Sequence, residues 1–101
     1  MTTLVIRTCH KEAGWNFPWM TALGTYMSPE HPSDPSIQSA QRSLWRSGLA
    51  LEGPDTDLLT GAYRERNGMG VHYSDAGLKT VGTEWARKVE AYIDAQLNKK
   101  S

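Results

Sequence analysis

The chain predicts an α/β domain built on short parallel strands with flanking helices, and three observations lead there. Apolar runs alternate with helix-patterned segments, the order expected of α/β folds. The strand-like runs are continuously apolar rather than alternating, as in strands covered on both faces. The last quarter of the chain carries apolar residues at helical spacing behind a capping serine. Two strands make a thin sheet, and a parallel pair ordinarily belongs to a larger one. The 101 residues therefore read as a single, partial domain of the doubly wound kind.

Residues 3 to 13, "TLVIRTCHKEA", are open to two readings. Leu4-Val5-Ile6 favours a strand by propensity. Gly14 and Lys11 sit where a helix would stop, and a helix would place Val5, Cys9 and Ala13 on one face. Next, "FPWMTALGTYM" reads as a buried strand, bounded by Pro18 and by the proline-rich loop "SPEHPSDP". That loop ends in a helix start, with Asp34 as the cap and Pro35 at the first helical position. The helix runs from about 35 to 47, with Ile37, Ala40, Leu44 and Trp45 as its stripe and Gly48 at its end. "LALEG" is a second short strand, stopped by Gly53-Pro54. "PDTDLLTGAYRERNGMG" is mostly irregular, and a loop of that length is often functional. Ser74 then caps a final helix carrying Leu78, Val81, Trp85, Val89, Tyr92, Ile93 and Leu97. Gly77 and Gly82 would each weaken it by roughly 1 kcal/mol relative to alanine, unless they let a neighbour approach.

Composition narrows the function classes. Eleven basic residues balance eleven acidic ones, whereas a nucleic-acid binder usually carries a basic excess. No run approaches the length of about 20 apolar residues that spans a bilayer. The start lacks the basic region, apolar core and cleavage site of a signal peptide, so a cytoplasmic location is the default expectation. Cys9 is alone, which leaves no internal disulfide. Four tryptophans and four tyrosines suit a packed domain and suit a carbohydrate site equally.

In open α/β sheets, functional groups gather beyond the carboxyl ends of the strands. Three loops qualify: "SPEHPSDP", "GPDTD" and the turn "NGMGVHYSDAGL" that holds His72. His72, between glycines and a helix start, is the candidate general base, with an aspartate orienting its other ring nitrogen. Asp55 and Asp57, just past a strand end, are the candidate partners; either could equally serve its own turn by bonding backbone N–H groups. Asp75 is expected in the first turn of the last helix, offsetting the dipole. His10 and His31 are expected at the surface. A metal site from His72, Asp55 and Asp57 has no supporting HExxH or CxxC spacing, so no metal or other cofactor is expected.

"GVHYSDAGL" followed by an amphipathic helix resembles the last conserved block of the SGNH (GDSL-like) hydrolases. "GWNFPWMTAL", "SIQSAQRSLW", "LALEGPDTDLLTG" and "NGMGVHYSDAGLKTVGTEWARKV" occur in order. Together they resemble the C-terminal part of the carbohydrate-esterase group, the sialate O-acetylesterase-like proteins. The resemblance covers nearly the whole chain. It implies the C-terminal portion of a three-layer α/β/α flavodoxin-like fold, with residues 3 to 13 as a helix. It also implies that His72 is the catalytic histidine, which deprotonates a serine for attack on an acetyl ester of a carbohydrate.

Two departures accompany the resemblance. The family's acid lies three residues before the histidine, where this chain has Met69. The family's nucleophile lies in a Gly-Asp-Ser block, with further oxyanion donors from a glycine and an asparagine, and this sequence has no such block. The expectation is a C-terminal esterase half that supplies His72. It would act on an acetylated carbohydrate once an N-terminal half completes it. The competing expectation is a non-catalytic α/β module that self-associates, as a homo-oligomer, or binds a partner through an uncovered sheet edge.

Overall fold

The computed structural model describes residues 2–99 and has mixed α/β architecture. Its order is α1 (Thr2–Ala13), β1 (Met20–Leu23), α2 (Pro35–Arg46), β2 (Leu51–Asp55), three short 3-10 turns, and α3 (Asp75–Lys99). The two strands pair in parallel, as their continuous apolarity led one to expect.

The first element is the helix that the family resemblance implied. Gly14 closes it at φ +81°, its N–H returning to the His10 carbonyl at 3.0 Å. Its buried face differs from the expected one. Ile6 is fully buried, whereas Val5 is 45% exposed and Ala13 lies in solvent. Ile6 packs with Leu44 and Ala50, with Trp19, Trp45 and Leu49 closing around them.

Helix α2 begins as its sequence prescribes. Asp34 accepts from the Ser36 and Ile37 amides at 3.0 and 3.3 Å, with Pro35 next in line. Its stripe is narrower than expected: Leu44 is buried and Trp45 half-buried, but Ile37 is 50% exposed. Trp45 Nε1 donates to the carbonyl and hydroxyl oxygens of Thr21, both at 3.0 Å, which pins α2 to β1.

Strand β2 does not stop at Gly53-Pro54, as the sequence suggested, but runs through it to Asp55. The register explains how. Thr21 pairs with Glu52 and Leu23 with Asp55, so β2 spends one more residue than β1 over the same stretch. Such a bulge frees one ladder position, and a proline, which has no N–H to give, can occupy it. Gly53 has a second reason to lack a side chain. A Cβ there would lie 2.6 Å from the Thr21 carbonyl oxygen and 3.0 Å from the Trp85 ring. Close contact of α3 with β2 thus depends on glycine at this position.

Helix α3 starts at Ser74, whose Oγ accepts from the Gly77 amide at 3.2 Å. Gly77 is itself buried, and a Cβ there would overlap the Tyr63 carbonyl. The helix therefore tolerates this glycine to let the 56–74 loop approach. Gly82 meets nothing within 4 Å and has no such reason. Val81 is buried and Trp85 half-buried, but Leu78, Val89, Ile93 and Leu97 are 42–61% exposed. Only part of the apolar stripe is covered. The radius of gyration is 15.5 Å, where a compact domain of about 100 residues has about 13 Å.

Candidate functional site

The loop from Thr56 to Ser74 carries the candidate histidine, and a buried cation organises it. Arg64 is 5% exposed. Its Nε donates to the Leu59 carbonyl at 2.7 Å, Nη1 to Val71 at 2.8 Å and Nη2 to Thr56 at 2.7 Å. The guanidinium lies between two rings, 4.4 Å from the Tyr26 centroid and 4.5 Å from that of Tyr73. Among the described residues no carboxylate pairs with it. Three carbonyl dipoles and two negative ring faces take that role, and arginine's planar fork reaches all of them at once.

The turn above this staple is tight. Arg66 and Asn67 have φ of 50° and 53°, and Gly68 has φ of 100°. Tyr26 Oη donates to the Gly68 carbonyl at 2.6 Å, and a Cβ on Gly68 would lie 3.0 Å from that same hydroxyl. On either side of the turn the chain pairs with itself. Arg64 and Tyr73 form an antiparallel bridge, flanked by Glu65 N–H to the His72 carbonyl (2.9 Å) and Ser74 N–H to the Tyr63 carbonyl (3.0 Å). Side chains alternate across such a ladder. Arg64 and Tyr73 point inward, so His72 points outward and is exposed. Among the described residues its imidazole makes no hydrogen bond or ion pair.

The expected aspartate partners are elsewhere engaged. Asp57 is 6% exposed. Its carboxylate accepts from Thr25 N (2.6 Å), Thr25 Oγ1 (2.6 Å), Tyr26 N (2.9 Å) and Gln38 Nε2 (2.8 Å). Burial alone would raise its pKa. The bonds from the Thr25 hydroxyl and amide, then Gln38 and Tyr26, outweigh burial and hold it below the ordinary aspartate value. Asp57 thus ties the exit of β1 to α2 and to the turn after β2. Asp55 is half-buried and accepts from the Asp57 amide at 3.1 Å, the turn-forming role weighed against catalysis above. Neither aspartate bonds to His72.

Ser74 is the serine nearest to His72 in sequence. Besides capping α3, it donates to the Ala62 carbonyl at 2.6 Å. A hydroxyl committed in both directions is poorly placed as a nucleophile. Met69, at the position of the family's acid, is 60% exposed.

The other two histidines divide. His31 is exposed, as expected. His10 is half-buried rather than exposed: its Nε2 lies 2.8 Å from the Phe17 carbonyl and its ring meets Phe17 edge-on at 4.7 Å. With Trp15, Phe17 and Trp19 it forms an aromatic group beside the start of β1, at the opposite ends of the strands from His72. Sequence reasoning missed Arg64 altogether. Its partners are carbonyls at Thr56, Leu59 and Val71, which leave no residue-type signature.

No protein-family model, curated protein or solved structure matches the chain.

Proposed function

We propose that this chain is the C-terminal half of an SGNH-type carbohydrate O-acetylesterase and that it contributes His72 as the general base. The fold in view is the three-layer α/β/α type, completed by further strands and helices. One observation carries the reading. His72 presents an uncommitted imidazole beyond the carboxyl end of β2, from a turn that the buried Arg64 and the Tyr26 hydroxyl hold in shape.

The chemistry is the one that the family resemblance implies for His72. His72 takes the proton of a serine Oγ supplied by the missing block as that oxygen attacks the acetyl carbonyl. It returns the proton to the sugar oxygen as the C–O bond breaks, and the acetyl group stays on the serine. Water, deprotonated by the same imidazole, then releases acetate and restores the hydroxyl. The uncovered apolar residues of α3 and the enlarged radius of gyration fit a domain whose remaining part would cover them.

A second reading has its own support. Trp15 is 62% exposed beside the half-buried Phe17 and Trp19. An exposed tryptophan on an aromatic group suits a module that self-associates or binds a partner. The two readings part at His72, which partner binding does not require.

Acting alone, the chain is expected to show no saturable ester hydrolysis. Acyl transfer needs a nucleophile, a base and oxyanion donors converging within about 3 Å of the carbonyl, and this chain supplies the base. Steady-state assays on an aryl acetate and an acetylated sugar, beside His72→Ala and Ser74→Ala, check this. Background aryl acetate hydrolysis that is linear in substrate supports the reading. Saturable turnover lost in both variants would make Ser74 the nucleophile and overturn it.

A further inference from the structure

We propose that Glu65 is the carboxylate that orients the His72 imidazole, a role the family pattern gives to the position of Met69. The inference rests on the esterase reading for its catalytic meaning, and on backbone geometry for the pairing itself.

The isolated bridge between Arg64 and Tyr73 sets Glu65 beside His72, at the point where Glu65 turns its own carbonyl to the Gly70 amide (3.0 Å). Glu65 N–H bonds to the His72 carbonyl at 2.9 Å, one step outward from the Arg64–Tyr73 bridge. Residues directly opposite in an antiparallel pair share a face, with Cβ atoms about 4.5–5.5 Å apart. Arg64 and Tyr73 take the inner face, so Glu65 and His72 share the outer one, and both are exposed. Gly70 makes room for the glutamate. A Cβ at that position would lie 3.1 Å from Glu65 Cβ and 3.3 Å from its carbonyl oxygen.

The Glu65 carboxylate is uncommitted: among the described residues it has no hydrogen bond and no ion pair. Two rivals are spent and one is uncharged. Asp57 holds four bonds, Asp55 serves its own turn, and Met69 has no charge. Asp75 stands in the first turn of α3. Of the neighbouring cations, Arg64 is occupied by carbonyls. Arg66, whose Nη2 would lie 3.4 Å from a Cβ on Gly70, is a competitor for the glutamate.

In this structure the Glu65 and His72 side chains are not bonded. Both are solvent-facing, and exposed side chains change rotamer within nanoseconds. Catalytic bonds are commonly loose before substrate binds. Accepting a hydrogen bond from Nδ1–H would leave the Nε2 lone pair facing the serine. The carboxylate charge would then stabilise the imidazolium once the serine proton arrives. Glu65 is on this account a positioning residue, with no bond made or broken at its own atoms.

The test is the His72 tautomer, read from ring nitrogen shifts of the 15N-labelled chain at about pH 8.5, above the ordinary histidine range. In the native chain Nδ1–H is expected to be the main form, with the His72 signals assigned by their loss in His72→Ala. Glu65→Ala should lower the ratio of Nδ1–H to Nε2–H about threefold, the effect of losing one exposed pair. Glu65→Asp should restore part of it, whereas Asp55→Asn and Arg66→Ala should not lower it. Identical His72 signals in native and Glu65→Ala chains would overturn the proposal, as would a loss seen in Asp55→Asn instead. The readout needs no activity. A tautomer change without reconstituted hydrolysis would keep the pair and remove the esterase; the reverse would do the opposite.

Discussion

Arg64→Ala is expected to cost roughly 3–5 kcal/mol, the loss typical of breaking a buried charged network. The alanine would leave the Thr56, Leu59 and Val71 carbonyls without their donors. Each buried carbonyl stranded in this way costs about 1–3 kcal/mol, less whatever water can recover. The rings of Tyr26 and Tyr73 would face each other across the space left behind. Such a loss is a large share of the 5–15 kcal/mol typical of a folded domain. Arg64→Lys should recover only part of it, because one ammonium cannot span three carbonyls in a plane. Urea denaturation followed by circular dichroism measures both. Arg87→Ala is the reference, since that side chain is 69% exposed and pairs with its helix neighbour Glu84, a contact of little weight. An Arg64→Ala midpoint equal to that reference would remove the staple from this account.

Asp57→Asn is expected to cost about 2–4 kcal/mol at neutral pH and to flatten the acid limb of the stability curve. Hydrogen bonds to a charged acceptor contribute about 1.5–3 kcal/mol, and Asp57 accepts four of them. An asparagine would turn an NH2 group toward donors. The pH dependence has a definite sign. The folded chain holds the Asp57 pKa below the ordinary value, so the unfolded chain takes up the proton first as pH falls. The stabilisation is complete above the ordinary aspartate range, near pH 4, and is lost as pH drops through the lower folded value. Urea midpoints of the native chain should fall across that window more steeply than those of Asp57→Asn. Parallel curves would mean that Asp57 is not the group responsible.

These two residues mark where the sequence stops being legible. The capped elements are legible, because Asp34-Pro35 and Ser74 are local signals that act through their own backbone. The parallel pairing followed from continuous apolarity. The end of β2 is not legible, because Gly53-Pro54 looks like a stop and only the register with β1 shows a bulge that admits proline. The apolar stripe of α3 was correctly spaced but largely uncovered, since spacing shows which face is apolar and not whether anything meets it. At the site, the turn around His72 is readable from its glycines, though the direction of the imidazole is not. The commitments of Asp57 were not, because its donors lie at residues 25, 26 and 38. Glu65 meets His72 through a backbone hydrogen bond that no residue type announces.

The most direct test of the central claim is reconstitution. The chain would be mixed with a purified polypeptide carrying a Gly-Asp-Ser block. That polypeptide would be the product of the adjoining upstream reading frame or, without one, the N-terminal half of a complete SGNH carbohydrate esterase. Acetate release from an acetylated sugar would be followed across substrate concentration. Saturable release is expected from the mixture and none from either half alone, with a loss of about 10²–10⁴-fold when His72→Ala replaces the native chain. A stable complex of the two halves that releases no acetate, or turnover indifferent to His72→Ala, would contradict the central claim.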